Sequence, residues 1–546
     1  MKTNCASYHT IYWSIDLEIW YTRPMQRKPL ILASLLLAAF AINVDTTIVN
    51  VALPTLVREL HASTTQLEWI VDAYNLVFAA LVLAAGNLGD RVGRKGVLLA
   101  GLGVFGAATI AGGLGNTPGE LIAARAAMGL GAALIFPATL SLLTHVFTER
   151  RERARAIGLW GATTGVGIAL GPIVGGWLLE RDGWQSVFFA LAPIAALGLI
   201  LVSVYVPSSR DPDAPPADRP GLALSTAAMA ILIYTIIEAP NHGWGGARSI
   251  AGFAVATSLL VAFIAWERRA AAPMLDVGLF RNLRFSAASG AVTISFFSLM
   301  GFIFLVTLYF QFLKGYAPFS TGVRLLPVAT LTGITSVLGT SLAVRSGAKL
   351  VVAAGLVSLA AGLAWTSTAS ASTTYLTIAG QMVLIGSGIG LTSAPATESI
   401  MGAVPRAKAG VGSAINDATR ILGGTLGVAV IGSIYASLYA GKLANGLGVH
   451  LPAPAADAAE GSVGGALGAA DQLAAGGHGD LATTLRDAAS GAFFHGFEIA
   501  CLVAAGVAIA GALVALSLLP AHPTARSEET PEPDALGAPA TATATD

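Results

Sequence analysis

The stretch GNLGDRVGRKGVLLAG, residues 86–101, lies between two long apolar runs. Its first ten positions hold three glycines, one aspartate and three cations. The rest of the chain is greasy. Of 546 residues, 54% are hydrophobic and 11% charged, about half the charged share of a soluble domain. The charges gather in short segments between apolar runs, each long enough to cross a hydrocarbon core as a helix, which takes about 20 residues. Strands of a membrane barrel would be shorter and would alternate polar with apolar. Residues 86–101 therefore read as a tight turn between two membrane helices.

Working outward from that turn gives fourteen spans, at 30–53, 69–87, 97–115, 121–145, 154–178, 185–206, 222–238, 249–266, 286–311, 321–343, 349–366, 375–400, 410–436 and 494–518. An even number puts both termini on one side, and cations mark the cytoplasmic side. With cytoplasmic termini, the inner segments carry 21 Lys and Arg and the outer segments 6. One missed or invented early span would erase that asymmetry, so it supports the count as well as the orientation. A multi-pass protein of the bacterial cytoplasmic membrane is expected, a monomer, with lipid around it. Bacterial origin is suggested only by Ala, Gly and Arg bias.

The zero net charge, 31 bases against 31 acids, suggests no nucleic-acid partner. Two cysteines, Cys5 and Cys501, give neither a disulfide framework nor a metal spacing. Residues 1–24 lack the apolar core of a signal peptide and read as an upstream extension, Met25 being the plainer start. No phosphate-binding GxxxxGK[ST] loop, nucleophile–base order or metal cluster stands out, so no enzyme, cofactor or metal is expected.

An internal repeat organises the spans. GLGAALIFPATLSLL (129–143) and GSGIGLTSAPATESIM (386–401) both carry Pro-Ala-Thr, and each precedes a cationic turn, RARA at 153–156 and RAKA at 406–409. The turns lie 253 residues apart (406 minus 153), and the same offset pairs Gly171 with Gly424. Two six-span halves follow, with spans 7 and 8 inserted between them. The expected divisions are a cytoplasmic tail 1–29, an N-terminal six-helix bundle 30–206, linker and inserted helices 207–285, a C-terminal bundle 286–520, and a disordered tail 521–546. The Pro-rich 207–221 is an inner linker. The Ala- and Gly-rich 437–493 is a long outer loop whose composition permits short helices.

In the opening turn, Gly86, Gly89 and Gly93 let two helices turn sharply and approach closely. Asp90 is expected at the start of the following helix, where free N–H groups favour an anion. Arg91, Arg94 and Lys95 face the cytoplasm, and Arg150 to Arg155 offer Asp90 a partner. The Gly-x-x-x-Asp-Arg-x-Gly-Arg-Lys spacing closely resembles the loop signature of the major facilitator superfamily. That resemblance implies a conformational latch at Gly86, Asp90, Arg91, Gly93, Arg94 and Lys95, which joins the two halves on the inner side in the outward-open state. VDTTIVNVALPTL (44–56) is similar to the signature of the fourteen-span drug:proton antiporters. RAAMGLGAA (125–133) resembles the superfamily's arginine-bearing helix, and GVGIALGPIVGGWL (165–178) its antiporter signature. The resemblance covers most of residues 27–520. It implies an all-α membrane protein with the major facilitator fold, two six-helix bundles plus two inserted helices. It also implies export of lipophilic, often cationic drugs or antibiotics, driven by the proton gradient. A nutrient symporter or uniporter would share the latch, and a transport-dead membrane sensor would share the scaffold.

Several side chains can be read without the family. Gly167, Gly171, Gly175 and Gly176 around Pro172 let span 5 pack backbone to backbone and bend. Charges inside a membrane are costly and usually functional. Asp45 in span 1 and Arg125 in span 4 both fall in the outer half of the bilayer. Burial disfavours the carboxylate's charge and a guanidinium favours it, so the pair is the candidate proton-coupling site, at which a proton or a cationic drug would compete. Asn416, Asp417 and Arg420 in span 13 are candidates for packing or gating. Glu398 is a candidate inner gate with Arg406 or Lys408. Asp72, Glu238, Arg324 and Glu498 are expected near water at outer span ends. A mostly apolar drug cavity with few polar anchors is expected, and its candidate residues are Asn43, Asn50, Trp69, Tyr74, Asn75, Phe136, Tyr309 and Gln311.

Overall fold

A computed structural model describes residues 24–210, 216, 218–404, 409–446 and 451–520. The described residues are almost entirely helical. The N-terminal half comprises α1 (Pro24–Leu60), α2 (Thr64–Val92), α3 (Arg94–Leu114), α4 (Pro118–Val146), α5 (Arg150–Asp182) and a sixth span built from α6 (Gln185–Phe189) and α7 (Leu191–Tyr205). The inserted pair is α8 (Arg219–His242) and α9 (Ala247–Glu267). The C-terminal half comprises α10 (Leu283–Leu308), extended by a wider π turn over Tyr309–Leu313, then α11 (Pro318–Arg324), α12 (Leu326–Ser346), α13 (Ala348–Thr366), α14 (Tyr375–Ala403), α15 (Ala409–Gly446) and α18 (Gly479–Leu518).

Among the described residues, thirteen helices are long and apolar enough to cross a membrane, and α2 makes a fourteenth if its two arms, bent by 52°, form one span. These match the expected spans one for one. The loop expected at 437–493 is largely helical: α15 continues to Gly446, α16 (Ala453–Gly461) and α17 (Val463–Ala475) follow, and α18 starts at Gly479. The Ala content that blurred this segment in sequence is good helix-forming material. Of the tail expected at 1–29, residues 24–29 already belong to α1, while residues 1–23, the tail expected at 521–546, and the cations Arg406 and Lys408 lie outside the described residues.

Within the N-terminal half, α4 packs on α2 and α3, and α5 lies along α1. The C-terminal half repeats the pattern, with α14 on α12 and α13 and α15 along α10. Pro137 in α4 and Pro395 in α14, the prolines of the repeated Pro-Ala-Thr, both sit inside helices. The inserted α8 lies over the seam between α2 and α15, where Ile233, Ile236 and Ile237 cover Leu76 and Ala429.

The halves join towards the face opposite the termini, called the far face below. The Gln311 side chain donates to the Val51 carbonyl at 2.8 Å, and the Phe319 amide donates to Glu180 at 2.9 Å. Thr64 donates to the Gly461 carbonyl at 3.1 Å, tying α16 to the start of α2. The π turn adds an aromatic cluster in the C-terminal half, where Tyr309 meets Phe493, Phe494 and Phe497 of α18 and donates its hydroxyl to Ser370 at 2.7 Å.

Candidate functional site

Asp45 and Arg125 are fully buried and paired. Arg125 Nη1 donates to both Asp45 oxygens at 2.8 Å, and Nε donates to the Ile70 carbonyl at 3.0 Å. The guanidinium lies 4.3 Å from the centre of the Tyr74 ring, and the Tyr74 hydroxyl donates to the Ile42 carbonyl at 3.4 Å. Three helices, α1, α2 and α4, thus converge on one ion pair. A desolvated pair gains most when every donor is used. Close packing makes this approach feasible. A side chain at Gly129 would strike the Tyr74 backbone, so α4 can lie directly against α2 there.

A cleft lies between the halves beside this pair. On one wall α1 gives Ile42, Asn43 and Thr46, α2 gives Asn75 and Phe78, and α4 gives Phe136. On the other, α10 gives Phe296 and Met300, and α15 gives Asp417, Arg420 and Gly424. The walls are mainly apolar, as lipophilic cargo requires. Asp45 is not among the lining residues, although its neighbours on α1, Asn43 and Thr46, are. The charged groups that do line the cleft are Asp417 and Arg420. Arg420 lies over the Phe296 ring at 5.4 Å and reaches the Thr397 hydroxyl at 3.4 Å, which in turn donates to Asn416 at 3.0 Å.

The structure brings only some of the expected cavity residues together. Asn43, Asn75 and Phe136 line the cleft, and Tyr74 lies beneath Arg125. Asn50 is buried and bonds back to the Thr46 carbonyl. Trp69 turns to the inserted helix, meeting Tyr234 and donating to Glu238 at 3.4 Å. Tyr309 belongs to the aromatic cluster and Gln311 to the far-face seam. Glu398 is exposed on α14.

Two expectations need correction. Asp90 does not begin a helix: α2 runs through it to Val92, and the break falls at Gly93, whose φ of 124° suits glycine. Among the described side chains its partner is Arg94, at 2.7 Å, while Lys95 bonds to the Ser203 carbonyl at 2.8 Å and Glu152 takes Lys28; the side chains of Arg150 and Arg151 lie outside the description. Arg91 is exposed, and Gly86 approaches Pro137 of α4. Asp72 does not reach water. It is completely buried, as is Glu68 one turn earlier, a residue sequence reasoning did not single out.

The glycines of α5 face α1 and the other half. A side chain at Gly167 would lie 2.9 Å from Asn43 Cβ, at Gly171 it would strike Thr47, and at Gly175 it would come 2.6 Å from Ile48. Thr47 also donates to the Ile168 carbonyl at 3.1 Å. Gly176 abuts Pro318 and Phe319 of α11, and the Pro172 carbonyl abuts Gly322. The helix therefore touches both the strip of α1 that carries Asp45 and the far-face seam.

Two helical halves around a cleft, with a buried ion pair at its side, define a transporter built as a multi-pass membrane protein. The chain belongs to the Major Facilitator Superfamily, whose sequence profile matches residues 35–428. It is 34% identical to the multidrug efflux pump LfrA of Mycolicibacterium smegmatis, over 90% of this chain and 96% of that one. It is 32% identical to the tetracenomycin C resistance and export protein of Streptomyces glaucescens, over 90% and 92%. Its fold is similar to that of a bacterial homologue of the human lysosomal transporter Spinster in an inward-facing, unoccupied conformation. That likeness has a TM-score of 0.61 and 17% identity, and covers 90% of this chain and 98% of that one.

Proposed function

We propose that this chain exports lipophilic compounds, cationic ones and antibiotics included, in exchange for protons across the bacterial cytoplasmic membrane, with both termini cytoplasmic. The observation that carries the reading is the enclosed Asp45–Arg125 pair, one residue along α1 from the cleft-lining Thr46. A charge buried in a membrane protein is expensive to keep and marks an ion pathway more often than a structural tie.

The pair and the cleft divide the work. With the far face closed, the cleft belongs to the cytoplasmic side and Asp45 holds Arg125 as a carboxylate, its proton already released inward. Cargo entering the cleft meets Asp417 as its acidic anchor and Arg420 as a cation packed on Phe296. After the halves rock, a proton from outside neutralises Asp45 and frees Arg125. The change passes through Tyr74, which carries the guanidinium on its ring and the Ile42 carbonyl on its hydroxyl, to the cleft wall. Proton and cargo thus act on one helix without sharing one carboxylate. The glycines of α5 give α1 and the α11 seam a smooth surface for rocking, and the latch residues 86–95 secure the opposite conformation. The names of the relatives, a multidrug efflux pump and an antibiotic export protein, support the cargo class.

The test is proton movement. Inverted membrane vesicles acidified inside by respiration should lose part of their gradient on adding a lipophilic cation, and vesicles carrying Asp45→Asn should not. Export without proton movement would instead favour a uniporter.

A further inference from the structure

The far-face seam holds a second group of acids that the coupling scheme does not use. Glu68 and Asp72 lie one turn apart on α2, and both are completely buried. Glu68 Oε2 accepts from the Ser433 hydroxyl of α15 at 2.9 Å, so this bond joins the two halves. Its carboxyl rests on the backbone of Gly432, where an added side chain would come 2.7 Å from the carboxyl carbon. Glu68 Oε1 and both Asp72 oxygens have no hydrogen-bond partner among the described residues.

The surrounding charges do not offset this burial. On α8, Glu238 adds a third carboxylate, held by Trp69, Asn241 and His242. On α4, Arg125 turns to Asp45 and the Ile70 carbonyl. On α15, Ser433 is the polar contact and Lys442 is exposed further out. On α16, Glu460 is exposed. A carboxylate enclosed without a cation costs several kcal/mol, and such a group takes up a proton instead.

We propose that Glu68 is a second proton-binding site, which must be protonated for the far face to close. When α2 and α15 separate, the carboxyl meets water and ionises; when Gly432 and Ser433 return, it takes its proton back from the far side. That proton does not cross the membrane. It makes closure favourable in acid and unfavourable in alkali, whatever the cargo and independently of Asp45.

Spin labels at Gly119→Cys and Ser372→Cys, on far-face ends of opposite halves and in a background lacking Cys5 and Cys501, report the gate distance in lipid nanodiscs without cargo. The wild type should shift from closed to open as pH rises. E68Q should remain closed across the range, and Asp45→Asn should titrate like the wild type. A response in E68Q equal to the wild type overturns the proposal; a response lost in Asp45→Asn alone overturns the independence of the two sites. Infrared difference spectra of the wild type with isotope-labelled glutamate do not depend on the variant folding: a protonated glutamic acid signal must accompany closure, and its absence refutes the inference.

Discussion

Arg125 reaches both oxygens of Asp45 from one nitrogen, Nη1, at 2.8 Å each, while its Nε is committed to the Ile70 carbonyl. One helix-borne cation therefore spans α1 and α2 at once, and a change at Asp45 cannot stay local. Releasing the carboxylate leaves Arg125 with a carbonyl and a tyrosine face, a weaker set of partners inside a membrane protein.

Removing either partner strands the other charge, which costs about 3–5 kcal/mol at a buried site. Asp45→Asn and Arg125→Gln should each lower the unfolding temperature in detergent, and the double variant should recover part of the loss. All three should abolish drug-driven proton movement. Arg125→Lys should fail as well, because an ammonium cannot serve Asp45, Ile70 and Tyr74 with one planar group. Normal pumping by Asp45→Asn would remove this pair from the mechanism.

Asp417 is the acid that lines the cleft, from α15, and is the proposed anchor for cationic cargo. Asp417→Asn should weaken binding of monovalent lipophilic cations by about tenfold, equivalent to about 1.4 kcal/mol, and leave neutral compounds of similar size unchanged. Fluorescence titration with matched cationic and neutral dyes measures both arms. Equal losses for the two classes would make Asp417 a packing residue.

The same two acids show how far sequence reaches. Asp45 and Arg125 stood out because each interrupts a long apolar run, and a charge in oil has few alternatives to finding the other. The helices were legible for a related reason, since a backbone in hydrocarbon must satisfy its own hydrogen bonds. Asp417 and Arg420 were legible only as candidates for packing or gating, because spacing along one helix does not reveal which face meets the other half. Asp72 looked like an acid near water because it lies close to a span end, Glu68 one turn earlier was not singled out, and only the approach of α15 and α8 encloses them. Tyr309 and Gln311 had cavity-like chemistry, yet the π turn rotates them into a cluster and a seam. Gly93 was legible as a turn, but not on which side of it Asp90 would fall.

Gly176 fits against Pro318 and Phe319, with a hypothetical Cβ 2.5 Å from Phe319 Cα. Gly176→Val should hold the far face apart. Cysteine placed at Gln311, a residue 4% exposed whose side chain bonds across the seam to Val51, should then react with an impermeant maleimide from the far side. Transport should fall to background while the protein remains folded. A Gln311→Cys thiol as protected in the valine variant as in its absence would mean that the seam closes elsewhere.

Asp90 and Arg94 pair within one turn of the chain, with side chains 34% and 18% exposed. Such a pair contributes about 0–1 kcal/mol, because water competes for both groups. Asp90→Asn should therefore leave the unfolding temperature of this conformation nearly unchanged. If the aspartate instead secures the halves in the opposite conformation, the variant should favour the far-closed form even with cargo bound, and transport should fall several-fold. Gate distances on both faces distinguish a lost latch from simple misfolding. Full transport by Asp90→Asn, with an unaltered distance distribution, would reduce the 86–95 turn to a positively charged connection whose glycines matter and whose acid does not.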